Sequence, residues 1–165
     1  MWPVPTSKPS WPSAGQSVRR CWIGRSALKS NSLTPARSAV HKLTGTEPII
    51  LHEQADKGRT IIEKFEDHAS EVGFAVVLLT GDDIGGLSGG DQLARARQNV
   101  MFELGCLFDK FGRSRVAVLF EPGVELPSGV SGLLYVQVDA SDGCQYRLGK
   151  ELRAAEIEAD LDKLT

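Results

Sequence analysis

Two strand-length runs, Phe74-Ala-Val-Val-Leu-Leu79 and Arg115-Val-Ala-Val-Leu-Phe120, are apolar at almost every consecutive position. A strand with one wet face alternates apolar and polar side chains. A run without alternation is buried on both faces, as in a parallel sheet covered by helices. Shorter runs of the same kind lie at Pro48–Leu51 and Leu134–Val138. Between the runs, apolar residues recur at helical spacing. Ile61, Ile62, Phe65 and Ala69 do so within Lys57–Glu71; Val100, Leu104, Leu107 and Phe111 do so within Ala94–Phe111, widened by Met101 and Phe108. A last helix is predicted over Tyr146–Leu164. Strands and helices alternating at this size predict an α/β fold: a doubly wound parallel sheet with right-handed crossovers and helices on both faces.

The chain has 165 residues, 41% of them hydrophobic, enough for one compact domain with a real core. Its net charge of −2 hides an asymmetry. Residues 1–46 carry seven Lys/Arg and no acid, whereas residues 47–165 carry twelve basic and twenty-one acidic residues, a balance of −9. An acidic domain is a poor binder of phosphate backbones, so no nucleic-acid polymer is expected as a partner. No apolar run reaches the length of a membrane span, so no membrane partner is expected either. Cys21, Cys106 and Cys144 are odd in number and widely spaced, and His41, His52 and His68 do not cluster with them. Neither a disulfide framework nor a metal site is expected, and the chain reads as cytoplasmic.

Composition changes sharply near residue 46. The preceding segment holds eight serines and five of the eight prolines. It predicts an atypical, mostly irregular N-terminal stretch over 1–46, ahead of a domain over 47–165. A displaced reading frame or a misassigned start accounts for this composition better than a targeting peptide does. One local signal is clean: Thr34-Pro35, then Ala36–Leu43, then Gly45 read as an N-cap, a first-turn proline, a helix and a C′ glycine. Val18–Ile23 is a weak strand signal.

Ligands of open α/β sheets bind at the carboxyl ends of the strands. That selects the loops after Leu51 and after Leu79. The second, Thr80–Gly90, holds Asp82 and Asp83 together with Gly85, Gly86, Gly89 and Gly90. It has no P-loop lysine, and its two aspartates repel phosphate, so it reads as a mobile lid rather than a phosphate cradle. The predicted helix Ala94–Phe111 carries Glu103 between Phe102 and Leu104, where a carboxylate is costly unless it is paired or faces a pocket. Arg95 and Asn99 precede Glu103 by eight and four residues, so all three fall on one helical face. Such a stripe suits ribose hydroxyls beside a cationic ring. A structural ion pair between Glu103 and Arg95, Arg97 or Lys110 is the alternative these residues leave open. Gly105, costly within a helix, suggests a close approach on its face.

Five segments carry a resemblance: Glu-Pro-Ile-Ile-Leu-His-Glu-Gln (47–54), Gly-Arg-Thr-Ile-Ile-Glu-Lys-Phe-Glu (58–66), Phe-Ala-Val-Val-Leu-Leu-Thr-Gly-Asp-Asp (74–83), Ala-Arg-Gln-Asn-Val-Met-Phe-Glu-Leu-Gly (96–105) and Glu-Leu-Pro-Ser-Gly-Val-Ser-Gly-Leu-Leu-Tyr (125–135). Together they resemble the bacterial TIR-like (Toll/interleukin-1 receptor-like) domains, predicted nucleotide-binding proteins that recur as effectors of cyclic-nucleotide-triggered antiphage systems. The resemblance implies a flavodoxin-like sheet and hydrolysis of NAD at its nicotinamide–ribose bond. It implies Glu103 as the catalytic carboxylate, with Asn99, Arg95, Arg97, Asp82, Asp83 and Arg59 as candidate substrate contacts. No cofactor is implied beyond NAD as substrate. Self-association is expected, with a sensor domain or a protein on another chain supplying the trigger. Two other functions fit such a sheet: a non-catalytic self-association or signalling module, and a nucleoside deoxyribosyltransferase-like enzyme, which also sets a glutamate against a ribose. Domains of this class open with a hydrophobic strand ending near His-Gly. Val18–Ile23 is short for a central strand and carries Arg19 and Arg20. The expectation is therefore a first strand that is missing or degenerate, and a chain nearly inactive on NAD.

Overall fold

The computed structural model describes residues 20–25, 33–50, 53, 63–64, 68, 71–86, 88–127, 132–138 and 143–164. In chain order the elements are β1 (Arg20–Arg25), α1 (Leu33–Thr44), β2 (Ile49–Ile50), β3 (Val72–Leu79), β4 (Asp83–Gly85), β5 (Leu93–Arg95), α2 (Gln98–Phe111), β6 (Val116–Phe120), β7 (Leu134–Gln137) and α3 (Gly143–Ala154). Five strands form one sheet in the order β2-β1-β3-β6-β7, every neighbouring pair parallel. The other two, β4 and β5, pair antiparallel as a separate hairpin.

Strand β3 is buried at every position, as its unbroken apolar run demands. On one face of the sheet, Ile23, Val76, Leu78 and Leu119 pack with Val40 and Leu43 of α1 and with Leu148 and Leu152 of α3. On the other, Trp22, Ala75, Val77 and Val118 pack with Val100, Leu104, Leu107 and Phe111 of α2. The doubly wound α/β arrangement is thus the observed one, and the stripe read on α2 is the one it buries. The C′ glycine read after α1 also holds: Gly45 adopts φ +69° and donates its N–H to His41 O at 2.8 Å, closing the helix with a left-handed residue, whereas the helix begins at Leu33, so Thr34 is inside its first turn and is not the N-cap.

The expected gap at the first strand is overturned. Strand β1 occupies an interior position, with Trp22 and Ile23 in register with Ile49 and Ile50, and Cys21 to Arg25 in register with Phe74 to Leu78. The strand begins two residues later than the Val18–Ile23 signal, and this shift is the physical reason. Its buried part is Cys21-Trp-Ile-Gly24, with the arginines at the ends. Sheet and helix therefore begin within the segment expected to be irregular, and with the gap filled the argument for an inactive chain loses its basis. Residues 1–19 lie outside the described residues. So does most of the predicted helix Lys57–Glu71, of which Glu63, Lys64 and His68 are described and helical.

Two helix boundaries also differ. Helix α2 begins at Gln98, not Ala94, because Leu93–Arg95 pairs with Asp83–Gly85, and the Ala94 carbonyl accepts from Glu125 N at 2.8 Å. Helix α3 ends at Ala154, where Glu156 turns left-handed (φ +62°) and Ile157 N donates to Leu152 O at 2.9 Å. That six-to-one bond, with Leu152 and Ile157 both in the core, is a Schellman closure. Among the described residues no helix is long and apolar enough to cross a membrane.

Candidate functional site

Because all five strands of the main sheet run the same way, their carboxyl ends share one edge. Gly24 near the end of β1, Thr80 after β3, the β4–β5 hairpin and the first turn of α2 gather there. Glu103 lies in the buried stripe of α2 and is only 6% exposed. Its Oε2 has no hydrogen-bond partner among the described residues. A Cβ placed on Gly24 would stand 3.4 Å from that oxygen and 4.0 Å from Trp22 Nε1. Among the described residues the carboxylate therefore faces strand backbone, and the ion pair with Arg95, Arg97 or Lys110 does not form. Removal from water disfavours the charged form, pushing Glu103 up to about 7 from an ordinary 4.5. Near neutrality the group is a mixture of acid and anion.

The remaining predicted residues fall into separate places. Asn99 is on α2, one turn before Glu103, and is exposed. Arg97 is the exposed N-cap, in an extended conformation with no side-chain capping bond. Arg95 is not on the helix, so the three-residue face is corrected to Asn99 and Glu103. Instead Arg95 sits in β5 and donates from Nε to Asp83 Oδ2 at 3.2 Å. The absence of a side chain at Gly85 leaves room for that guanidinium over the backbone. Asp82 is anchored from beneath: buried Thr80 donates Oγ1 to its Oδ2, and Asp82 N donates to Thr80 O at 2.8 Å. The segment read as a lid carries the first strand of a hairpin and is tied to the loop after β6, where Gly81 N donates to Glu121 Oε2 at 3.4 Å. Gly105 meets no neighbour within 4 Å of a Cβ among the described residues, so the close approach read from it is also corrected. Arg59 lies outside the described residues. A groove lined by Thr44, Arg153, Glu158 and Lys163 belongs to the α1–α3 side and gathers none of the predicted site residues.

Sequence reasoning missed Gly24 and Trp22. A signal for them existed: a short apolar run followed by a cleanly capped helix and then Pro48–Leu51 is a β–α–β unit.

The model of the family described as "CAP12/Pycsar effector protein, TIR domain" matches residues 21–140, beginning inside β1. The chain is 46% identical over 120 residues to the uncharacterized protein YuaY of Escherichia coli K12, covering 72% of this chain and 40% of YuaY. It is 38% identical over 103 residues to protein tirC of Dictyostelium discoideum, covering 56% of this chain and 51% of tirC. To the Pycsar effector protein BcPycTIR of Burkholderia cepacia it is 38% identical over 87 residues, covering 49% and 28%. The chain thus spans about half or less of the length of each of these relatives. With the first strand present and the matched region running through it to the end of the sheet, the chain belongs to the TIR-domain family of CAP12/Pycsar effector proteins.

Proposed function

We propose that this chain is the NAD-cleaving TIR domain of an antiphage effector, with Glu103 as the carboxylate set against the ribose. The observation that supports this reading is Glu103 itself. It is buried, it has no hydrogen-bond partner at Oε2 among the described residues, and it stands at the carboxyl edge of a parallel sheet. A carboxyl left so is costly in a fold and characteristic of a site.

Cleavage breaks the bond between C1′ of the ribose and the ring nitrogen. The electron pair leaves with nicotinamide, whose positive ring becomes neutral, and the ribosyl centre becomes oxocarbenium-like. Anionic Glu103 opposes that charge and accepts hydrogen bonds from the ribose hydroxyls. Water then adds to C1′ and gives up a proton, leaving ADP-ribose and nicotinamide. Arg95 and Arg97 are the proposed contacts for the diphosphate, with Asn99, Asp82 and Asp83 around the sugars. Self-association completes the cover of a ligand this long, and a cyclic-nucleotide sensor elsewhere supplies the trigger.

Incubation with NAD and, separately, with deoxynucleosides tests the reading by chromatography of the products. Nicotinamide with ADP-ribose is expected. Base exchange among deoxynucleosides would point to a transferase, and no turnover of either by the oligomeric protein would point to a non-catalytic signalling module.

A further inference from the structure

We propose that the solvent face of α2 is the contact between two copies of this chain, packed antiparallel about a two-fold axis with Phe102 of each over Gly105 of the other. The inference gives the proposed self-association a surface and does not depend on NAD cleavage.

A helix on the surface of a domain turns an apolar stripe to the core and charged side chains to water. Helix α2 does the first and not the second. From Gln98 to Phe108 its single charged residue is Glu103, and that one is buried. The outward positions are instead Gln98, Asn99, Phe102 and Gly105, all exposed, with Cys106 partly buried beside them. Phe102 is 62% exposed, a large apolar ring standing in water. Such a face calls for a cover.

Gly105 points to what the cover is. Glycine weakens a helix interior, and nothing within this chain asks for it. Its φ is not positive, and a Cβ there would meet nothing within 4 Å among the described residues. The gap opens outward. Phe102 and Gly105 stand three residues apart, as neighbours on one helix face. A projecting ring and a gap at that spacing are self-complementary, because a two-fold antiparallel pair sets each ring in the other's gap. The same axis brings Asp109, exposed in the last turn, against the partner's first turn. That turn holds no acid and its N-cap makes no side-chain capping bond. The positive end of each helix dipole thus receives a carboxylate from the other copy. The 14 residues of α2 span about 21 Å, so the interface is small and the association weak and concentration-dependent.

The test is sedimentation of the full chain over a dilution series, native against Phe102→Ser and Gly105→Gln. Thermal melting, NAD cleavage and bismaleimide cross-linking of Cys106 accompany it. In the proposed pair the two Cys106 residues lie roughly 10 Å apart, within reach of a short bismaleimide. The native chain is expected to form a closed dimer and to cross-link, and Cys106→Ser should abolish the cross-link. Both surface variants should raise the dissociation constant about tenfold or more. Melting separates an interface role from a structural one. At a dilution where every chain is monomeric, Gly105→Gln should melt above the native chain, since glutamine is the better helix former, and Phe102→Ser close to it. A native chain that stays monomeric up to roughly 1 mM overturns the proposal. So does an assembly that either surface variant leaves unweakened. Nicotinamide release in either of those cases leaves the proposed function standing without this surface. A dimer that both variants weaken, with no turnover of NAD, upholds the surface while the proposed function falls.

Discussion

Arg95 and Asp83 join the two strands of the β4–β5 hairpin through an Nε–Oδ2 hydrogen bond of 3.2 Å, and the guanidinium lies over the bare backbone of Gly85. Both side chains are about two-fifths exposed (39% and 40%), so the pair contributes only ~0–1 kcal/mol and weakens with salt. Its effect is on hairpin shape. Gly85→Ala should expel the guanidinium and Asp83→Asn should weaken its anchor, each lowering stability in urea by less than about 1 kcal/mol. A loss of several kcal/mol would show that the hairpin belongs to the cooperative core.

A pH dependence follows from Glu103, held at about 7 in the folded chain against an ordinary 4.5. A raised acid keeps its proton in the native state where the unfolded chain has already released it. Its stabilising contribution is therefore complete below about 4.5, declines as pH rises toward 7, and is gone above it. At about 1.4 kcal/mol per pKa unit the decline is roughly 3 kcal/mol. Glu103→Gln removes the titration, so its urea stability should overtake that of the native chain between pH 5 and pH 8. Parallel curves for the two proteins would contradict the buried carboxyl.

Glu156 closes α3 from the left-handed region at φ +62°, where glycine is at ease and other residues are strained. Its ion pair to Arg115 is long, 3.9 Å, and its side chain is 73% exposed. Little is lost with that side chain, so Glu156→Gly should stabilise by roughly 0.5–1 kcal/mol. Glu156→Ala, with the same pair removed and the strain kept, should not. Equal melting temperatures for the two variants would refute the backbone argument.

Strand β1 lies between β2 and β3, and Trp22 is fully packed in its interior. Backbone amides there should exchange only through global unfolding, as slowly as those of Ala75 to Val77 in β3. Trp22→Ala should cost ~3–5 kcal/mol. Exchange of the Trp22 and Ile23 amides at loop-like rates would remove β1 from the sheet.

Phe74–Leu79 and the Val116–Phe120 run were readable because burial on both faces leaves a pattern that solvent exposure would have broken. The Val100–Phe111 stripe was readable for the same reason on a helix. Strand β1 was hidden by its setting: a short apolar segment flanked by arginines, inside a stretch rich in serine and proline. Only the residues between neighbouring strands must be apolar, and window composition averages them away. Ala94-Arg-Ala-Arg97 is good helix material by propensity, yet its first residues pair with a strand ten residues earlier, a nonlocal bond that local propensity does not contain. The place of Glu103 on a buried stripe was legible. Its freedom from Arg95 was not, because that depended on where the helix starts.

The most direct measurement is the rate of nicotinamide release from NAD by the native protein and by Glu103→Gln. Glutamine keeps the shape and a hydrogen-bonding carbonyl but cannot carry the charge that opposes a ribosyl cation. Loss of such electrostatic stabilisation predicts a fall of about 10²-fold or more in kcat, with melting at pH 7 unchanged or raised. Nicotinamide release by the glutamine variant at a rate near the native one would contradict the role assigned to Glu103.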